Sequence, residues 1–437
     1  MASTTRDKTR ELQRALYRAA KASPERRFHA LYDNVYREDV LSRAWQEVKR
    51  NAGAAGVDEQ TIEQIEQRGV EGFLSELANE LRKGQYRPHA VRRAWIPKAD
   101  GRQRGLGIPA VRDRVVQTAA KVVLEPIFEA DFRDCSYGFR PKRSAHQAME
   151  QLRQAVNRGA NCIVELDIEA FYDRIDHELL MKLVGKRICD RRMLQLLRQW
   201  LTAGVLDDGN VLASDQGVPQ GGVISCVLAN VVLHELDRLW EDRCSQLGQL
   251  IRYADDGVVA CRTKAQAGEA LWRIGVILER LKLTLHSTKT QVVNVEDGAQ
   301  GFEFLGFYCR KVVSKRYRGK RYLQYWPSRR AMQRVRDRIK AITAPRHRLP
   351  EPIEPIVGEV NGVVRGWGAY FRVGNAARKF HDVDTYVYMR LGRFLAKKTR
   401  RSWRARKHDI WALFERLGVY RLSGTVRWYT AAPTAVR

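Results

Sequence analysis

Acidic residues stand at the ends of short apolar strands in the middle of the chain. The first strand, residues 163–166, is followed by Asp167, and two further apolar segments, residues 250–251 and 258–260, enclose Asp255 and Asp256. Around these acids, short stretches of strand character alternate with stretches of helical periodicity. Such alternation is typical of an α+β domain with a small, mostly antiparallel sheet. We therefore predict that fold class for the central part of the chain.

The three carboxylates predict a metal site if their strands are neighbours in one sheet. Adjacent acids in a turn are usually only solvated, so the YADD sequence at residues 253–256 is weak evidence by itself. Three carboxylates that converge cannot all stay ionised without cations. Two divalent ions held ~3.5–4 Å apart are the standard arrangement for nucleotidyl transfer. Oxygen ligands without His or Cys favour Mg²⁺, so we expect two Mg²⁺ ions, with Mn²⁺ as a substitute.

The net charge of +28 indicates a polyanionic partner. Residues 301–437 contain 32 Lys and Arg against 9 Asp and Glu, whereas the first 300 residues contain 46 against 41. A nearly balanced body with a basic C-terminal third predicts an enzyme with an added region that binds nucleic acid. A charge that only solubilises the protein is the alternative.

Other sequence features exclude several protein classes. The seven cysteines are scattered and include no CxxC pair, which argues against a zinc module and a disulfide framework. The N-terminus has no apolar region typical of a signal peptide, and no run approaches ~18 apolar residues. We therefore expect a cytoplasmic protein of bacterial type, associated with the nucleoid and without membrane contact.

Helical periodicity dominates both ends of the chain. Residues 8–50 and 60–83 read as helices, and residues 90–109 read as a hairpin that turns at Asp100. Three basic amphipathic helices are predicted after residue 327, with a proline-rich linker at residues 345–355.

Taken together, the motifs resemble the reverse transcriptases encoded by group II introns, from about residue 35 to 425. The matching blocks are WIPKADG at 95–101, LGIP at 106–109, SYGFRP at 136–141, LDIEAFYD at 166–173, QGVPQGG at 216–222, YADD at 253–256, FEFLGF at 302–307 and GVVRGWGAYFR at 362–372. The resemblance implies a right-hand polymerase with fingers and palm, followed by an α-helical thumb. Residues 1–160 would form an N-terminal extension and the fingers, 161–310 the palm, and 311–437 a basic thumb or maturase domain with a C-terminal segment that binds RNA or DNA.

The resemblance also implies roles for individual residues. Asp167, Asp255 and Asp256 would be the catalytic metal ligands, together with the backbone of Ile168. The residues implied in dNTP binding are Lys98, Arg104, Tyr172, Gln220 and Lys289. The residues implied in contacts with template, primer or intron RNA are Arg140, Pro219, Gly221, Tyr253, Arg365, Arg372, Lys397, Lys398, Arg400, Arg401 and Arg404.

Several of these implied roles have alternatives. Lys98 and Arg104 would neutralise the triphosphate, and Tyr172 would either reject a 2′-hydroxyl or serve as a core aromatic. Lys289 would be a general acid for the leaving group or a phosphate contact. One departure from the family pattern is Cys226, where the family usually has proline at the start of a helix. Proline is tolerated there but not required.

The resemblance implies an RNA-directed DNA polymerase that also binds its intron RNA and assists splicing and retrohoming. Its partners would be group II intron RNA, an RNA template with a DNA primer, target DNA and dNTPs, while the oligomeric state stays open. A free-standing reverse transcriptase for DNA repair or phage defence is the alternative. A splicing factor without polymerase activity is a third hypothesis, which the complete set of acids argues against. No endonuclease domain is expected, because the chain ends at Arg437 without the cysteine pairs of that domain.

Overall fold

The structure, a computed structural model, describes residues 2–97, 103–207, 209–213, 215–314, 319–399 and 407–427. The helices, numbered in chain order, are α1 (Ala2–Ala22), α2 (Glu38–Asn51), α3 (Ile62–Arg68), α4 (Val70–Lys83), α5 (Val111–Glu129), α6 (Ala145–Asn157), α7 (Phe171–Arg174), α8 (His177–Gly185), α9 (Arg191–Thr202), α10 (Ser225–Arg243), α11 (Lys264–Arg280), α12 (Arg329–Thr343), α13 (Ile353–Phe371), α14 (Ala377–Thr399) and α15 (Lys407–Arg416). The strands are β1 (Val91–Pro97), β2 (Gln103–Ile108), β3 (Cys162–Leu166), β4 (Val205–Asp207), β5 (Asn210–Leu212), β6 (Gln249–Tyr253), β7 (Asp256–Cys261), β8 (Gln291–Asn294), β9 (Gly301–Phe304), β10 (Phe307–Val313) and β11 (Arg321–Pro327).

The strands form three small sheets. The first has the order β2-β1-β4-β5, and its β1–β2 hairpin is antiparallel as predicted. The second has the order β6-β7-β3-β8, with β3 antiparallel to β8. The third has the order β11-β10-β9 and is antiparallel throughout. Small sheets among many helices confirm the predicted α+β class. The third sheet continues to Pro327, so strands extend beyond residue 310 into the segment that the resemblance assigned to the thumb, and α12 follows at Arg329.

Two predicted helices are interrupted for identifiable reasons. The stretch 8–50 divides into α1 and α2, and the segment between them contains Pro24, which lacks the backbone N–H that a helix interior needs. The stretch 60–83 divides at Gly69, whose φ of 102° is incompatible with a continuous right-handed helix. Thr61 begins α3 with a capping box, since its hydroxyl accepts the Gln64 N–H while the Gln64 side chain accepts the Thr61 N–H.

Contacts divide the chain into two compact units. The first comprises residues 1–143, 166–257 and 268–290, and the second comprises residues 144–165, 258–267 and 291–437. The predicted three-part division into fingers, palm and thumb follows other boundaries and stays a prediction.

The first unit is built around α5, which is buried along most of its length. Helices α1 and α2 pack against it. The second unit places β9–β11 beside α6, where the Leu323 N–H donates to Asn157 Oδ1 at 2.8 Å. Helices α12, α13 and α14 pack on one another through apolar faces, and their basic residues lie largely outside these faces. No helix among the described residues is both long and apolar enough to cross a membrane.

A buried polar network on α5 predicts a pH-dependent stability. Asp113 accepts hydrogen bonds from the Tyr86 hydroxyl at 2.7 Å and the His89 backbone N–H at 3.0 Å, and its carboxylate lies 3.4 Å from the His89 ring. The nearby Asp113 carboxylate raises the pKa of His89 above its ordinary value, although partial burial opposes this.

Because the pKa of His89 is higher in the folded state than in the unfolded state, this interaction stabilises the protein fully below pH ~6.5 and is lost as pH rises through the folded pKa. We expect His89→Ala to lower the free energy of unfolding more at pH 5.5 than at pH 8.5, measured by urea denaturation. His29→Ala, at an exposed histidine, is the control. An equal effect of His89→Ala at both pH values would contradict the prediction.

Candidate active site

Asp167 lies directly after β3 and is held by the segment that follows α11. Its backbone carbonyl accepts the His286 N–H at 2.8 Å, and its carboxylate Oδ2 lies 3.1 Å from Lys289 Nζ. The next residue, Ile168, forms an isolated antiparallel bridge with Leu285. Lys289 therefore contacts the carboxylate that the sequence predicts to be catalytic, and both side chains remain partly exposed to solvent.

Asp255 and Asp256 occupy the tight turn between β6 and β7. Tyr253 ends β6, Asp256 begins β7, and Ala254 adopts a φ of 57°. A left-handed conformation is unfavourable for alanine, so neighbouring contacts must stabilise this turn.

The ends of β3 and β7 that carry the acids lie side by side. A Cβ atom built on Gly257 would lie 3.3 Å from Leu166 Cδ1 and 3.7 Å from Leu166 Cβ. Leu166 precedes Asp167, and Gly257 follows Asp256. The predicted condition for convergence, neighbouring strands in one sheet, is therefore met.

The acids do not form a closed ligand cluster. Within the ranges that the structure describes, no group of three or more His, Cys, Asp or Glu side chains surrounds a position suitable for a metal ion. The carboxylate of Asp167 is paired with the ammonium group of Lys289, which supplies a compensating charge. The donor types nevertheless fit a hard divalent cation, because only carboxylate oxygens are present at the three predicted positions. The shared-metal role of the three acids stays a prediction.

The turn at residues 253–256 rests on the segment that contains SYGF. The Tyr137 N–H donates to the Arg252 carbonyl at 2.8 Å, and the Arg252 N–H donates to the Cys135 carbonyl at 2.8 Å. A side chain at Gly138 would collide with the backbone nitrogen of Ala254. The rings of Phe139 and Tyr253 lie 6.3 Å apart. The SYGF segment, which was identified from the sequence only as a family motif, thus packs directly against the predicted catalytic turn.

Arg252 and Asp237 form a buried ion pair behind this turn. The exposed fractions of their side chains are 3% and 0%, and Arg252 Nε donates to Asp237 Oδ1 at 2.8 Å. Burial lowers the pKa of Arg252, but the charge and hydrogen bonding of Asp237, together with smaller contributions from Cys135 and Asp255, raise it on balance. Sequence reasoning missed both residues. The available signal was an arginine within an otherwise apolar strand, which predicts a buried partner.

The QGVPQGG loop lies between the β1–β2 hairpin and α7. The Val218 N–H donates to the Tyr172 carbonyl at 2.7 Å, and the Gly107 N–H donates to the Gln220 carbonyl at 2.7 Å. Gly221 has a φ of 116°, and a side chain there would meet the Gly107 carbonyl. The loop therefore joins two other blocks, the β1–β2 hairpin and the segment of Tyr172, which were also predicted to contact the nucleotide. Pro219 packs against Gly107, and Gly221 itself is exposed.

Tyr172 is a buried aromatic residue whose ring lies 5.2 Å from that of Phe171. Its hydroxyl interacts with the thiol of Cys226, the residue that departs from the family pattern. Burial raises the pKa of that thiol, while Lys121 and Tyr172 oppose the increase. The core role of Tyr172 is evident from this packing, and its role in sugar selection stays a prediction.

Two predicted nucleic-acid contacts are structural residues. Arg140 donates to both carboxylate oxygens of Glu129, at 2.9 and 2.8 Å, and to the Ser136 carbonyl at 2.8 Å. Lys398 donates to the carbonyls of Leu349 and Glu351, at 2.9 and 2.7 Å. Because these donors point into the protein, we correct the expectation for both residues and remove them from the proposed nucleic-acid contacts.

The remaining predicted basic contacts divide into two groups. Arg365, Arg372 and Lys397 are exposed, and the Arg365 guanidinium lies 5.0 Å from the Tyr420 ring centroid. The predictions that fall outside the described residues or side chains concern Lys98, Arg104, Arg400, Arg401 and Arg404.

Comparison with known proteins identifies two matching regions. Residues 96–309 match the model of the family described as "Reverse transcriptase (RNA-dependent DNA polymerase)". Residues 332–411 match the "Group II intron, maturase-specific domain". In the solved "Partial Cas6-RT-Cas1--Cas2 complex", a chain with 22% identity aligns with 58% of this chain and 43% of its own length, with a TM-score of 0.34.

Two curated relatives differ in how much of their length is matched. Protein YkfC of Escherichia coli (strain K12) is 37% identical over 348 residues, which cover 70% of this chain and 89% of that protein. Group II intron-encoded protein LtrA of Lactococcus lactis subsp. cremoris is 37% identical over 214 residues, covering 48% of this chain but 35% of LtrA. The chain therefore belongs to the family of group II intron reverse transcriptases and maturases, which are RNA-directed DNA polymerases that use divalent metal ions.

Proposed function

We propose that this chain copies RNA into DNA at a site formed by Asp167, Asp255 and Asp256, and that it binds a group II intron RNA to assist splicing and retrohoming. The contact between Gly257 and Leu166 carries the proposal for the site, because it brings together the strand ends that bear these acids. The match of residues 332–411 to the maturase-specific domain favours the RNA-binding role. A primer with its RNA template, dNTPs and target DNA would be the substrates and partners.

Mg²⁺ is the metal that we propose for the three carboxylates, with Mn²⁺ as a substitute. When bound, it supplies charge neutralisation for the attacking and leaving oxygens of nucleotidyl transfer. The carboxylates of Asp167, Asp255 and Asp256 would hold it, with the backbone of Ile168 beside them. Around this centre, Tyr172 would exclude nucleotides that carry a 2′-hydroxyl on the sugar. Gln220, Lys98 and Arg104 would contact the incoming nucleotide. Pro219, Gly221 and Tyr253 would contact the template and primer.

Lys289 offers a separate test of the site. We expect Lys289→Met to reduce the rate constant of single-nucleotide incorporation by about 10- to 100-fold, because its ammonium group lies 3.1 Å from the Asp167 carboxylate and would neutralise charge on a leaving phosphate at this site. Lys282→Met is a matched control, since Lys282 forms a similar exposed pair with Asp176, with Nζ and Oδ2 2.6 Å apart. Rates should be measured by rapid quench.

The pH dependence distinguishes the two roles of Lys289. A general acid predicts that the alkaline limb of the rate profile disappears in Lys289→Met and that Lys289→Arg does not restore it. A phosphate contact predicts an unchanged profile and substantial rescue by arginine. If Lys289→Met and Lys282→Met have equal rates, Lys289 contributes to neither role.

Salt dependence tests the proposed RNA contacts of the C-terminal region. We expect the triple variant Arg365→Ala, Arg372→Ala, Lys397→Ala to weaken binding of intron RNA and to reduce the slope of log K against log salt by roughly 0.7 for each lost phosphate contact. The control removes equal charge from exposed residues of another region, through Arg262→Ala, Lys264→Ala and Arg280→Ala. Filter binding over a salt series provides the measurement. Equal slopes for both variants would contradict the assignment.

Primer extension and splicing assays test the two parts of the function separately. The purified chain should extend a DNA primer on an RNA template with Mg²⁺, and it should accelerate splicing of the intron RNA that flanks its gene. Extension without any effect on splicing would favour a free-standing reverse transcriptase. Accelerated splicing without extension would favour a splicing factor.

A further inference from the structure

We propose that Arg252 and Asp237 are positioning residues that hold the YADD turn, and that residues 136–138 are the surface on which they fix it. This inference rests on the proposed function, since it explains how the turn bearing Asp255 and Asp256 keeps its shape. Neither Arg252 nor Asp237 was among the predicted site residues.

The guanidinium group of Arg252 connects the turn to three residues in two other parts of the first unit, α10 and the segment around residue 136. Its Nη1 atom donates to the Ala254 carbonyl at 2.8 Å and to Asn230 Oδ1 at 3.1 Å. Its Nη2 atom donates to Ser136 Oγ at 2.8 Å. Asp237 holds the Nε side of the same group. Because guanidinium is planar, these bonds fix its orientation relative to the turn.

The bond to Ala254 acts on the peptide that links Ala254 to Asp255. Ala254 has a φ of 57°, a conformation that alanine rarely adopts without support. With its carbonyl fixed by this hydrogen bond, the peptide between Ala254 and Asp255 has little freedom to rotate. The position of the Asp255 Cα atom therefore depends on the Arg252 side chain.

Residues 136–138 hold the other side of the turn. Backbone hydrogen bonds join Arg252 to Cys135 and Tyr137, and the Gly138 Cα lies so close to Ala254 that a side chain would displace the turn. The Asn230 side chain donates to the Gly138 carbonyl at 2.9 Å while it also accepts from Arg252. The glycine, the asparagine and the arginine therefore form one connected support.

A second buried arginine in the same unit provides a matched comparison. Arg187 lies 3.1 Å from Asp131 and donates to the Ala20 carbonyl at 3.0 Å and the Ser23 carbonyl at 3.1 Å. Both arginines are buried and both bind a carboxylate and backbone carbonyls. Of these two arginines, Arg252 donates to the YADD turn and Arg187 does not. A role limited to stability predicts similar consequences for both, whereas positioning predicts a difference.

The test compares Arg252→Lys with Arg187→Lys in the full-length chain, because lysine keeps the charge but not the planar set of donors. Two measurements are made below the unfolding temperature of both variants. One is the rate constant of single-nucleotide incorporation on an RNA template with saturating primer and dNTP. The other is amide hydrogen exchange of peptides that cover residues 249–258.

We expect Arg252→Lys to lower the incorporation rate about 100-fold, as a displacement of about 1 Å does in other active sites, with little change in affinity for template and primer. Exchange in residues 249–258 should increase in this variant alone. Arg187→Lys should leave both quantities within about threefold of the wild type. Equal rates in the two variants would overturn the proposal, as would unchanged exchange at residues 249–258 in Arg252→Lys.

Gly138→Ala tests the proposal if Arg252→Lys does not fold. It adds one methyl group against Ala254, whereas the control Gly185→Ala adds one where nothing lies within 4 Å. The same rate and exchange measurements apply, and equal results for the two alanine variants would overturn the proposal. If the wild type itself does not extend primers, the proposed polymerase function fails, while hydrogen exchange still decides whether Arg252 holds the turn.

Discussion

Asp255→Asn is expected to reduce primer extension by at least about 100- to 1000-fold while the protein remains folded. The substitution preserves the size of the side chain but removes a negative charge from the turn between β6 and β7. Ligand charge determines affinity for a hard divalent cation, and charge neutralisation at the reacting oxygens contributes several kcal/mol to such reactions. Single-turnover incorporation with Mg²⁺, measured beside circular dichroism and thermal unfolding, checks the prediction.

The control for this change is Glu269→Gln, which removes the same charge from an exposed pair on α11. Its extension rate should equal that of the wild type. Asp167→Asn should be as defective as Asp255→Asn if the two residues act at one centre. Undiminished extension by Asp255→Asn would show that this carboxylate does not carry the chemistry.

Asp237→Ala should cost about 3–5 kcal/mol of unfolding free energy, because it leaves the Arg252 guanidinium buried without its counter-ion. Its other hydrogen-bond partners, Asn230, Ala254 and Ser136, are neutral and supply no counter-charge in direct contact. Chemical denaturation followed by tryptophan fluorescence measures the loss. Asp237→Asn should cost less, since the amide oxygen can still accept a hydrogen bond.

Glu269→Ala is the matched comparison for stability. Its partner Arg273 is half exposed, so the pair should contribute less than about 1 kcal/mol. Similar stability losses for Asp237→Ala and Glu269→Ala would contradict the view that Arg252 depends on a buried partner.

Many features of the fold were predictable from local sequence. The apolar run before Asp167 predicts β3, the segments around the YADD sequence predict β6 and β7, and the periodicity after residue 327 predicts α12 to α14. These predictions succeed because alternating or periodic apolar residues must face a core. The division at Gly69 was harder to foresee, since a single glycine within a helical pattern is often tolerated.

The roles of basic residues were less predictable. Arg140 lies within a hallmark motif, and Lys398 lies within a dense basic run, yet both donate to groups inside their own units. Arg365, Arg372 and Lys397 have the same chemistry and are exposed. A sequence specifies the charge of a side chain, but partners more than ten residues away decide where that charge is directed.

The packing partners of glycine-rich motifs were equally hard to predict from sequence. In the GVVRGWGAYFR sequence, Gly368 lies against the Leu422 side chain, which would have to move if a larger residue replaced the glycine. The partner, over fifty residues away, could not have been named from the motif.

The sequence by itself determined the family and the α+β class, because these depend on local periodicity and on motifs in a recognisable order, and it predicts Asp167, Asp255 and Asp256 as the catalytic acids. Only the tertiary structure revealed that Arg252 and Asp237 lie behind the YADD turn, that Gly138 supports it, and that Lys289 contacts Asp167. The physical reason is that a buried charge or a close backbone contact depends on residues brought together from distant parts of the chain. Such a buried charge or close contact changes the free energy of folding only once the surrounding core excludes water.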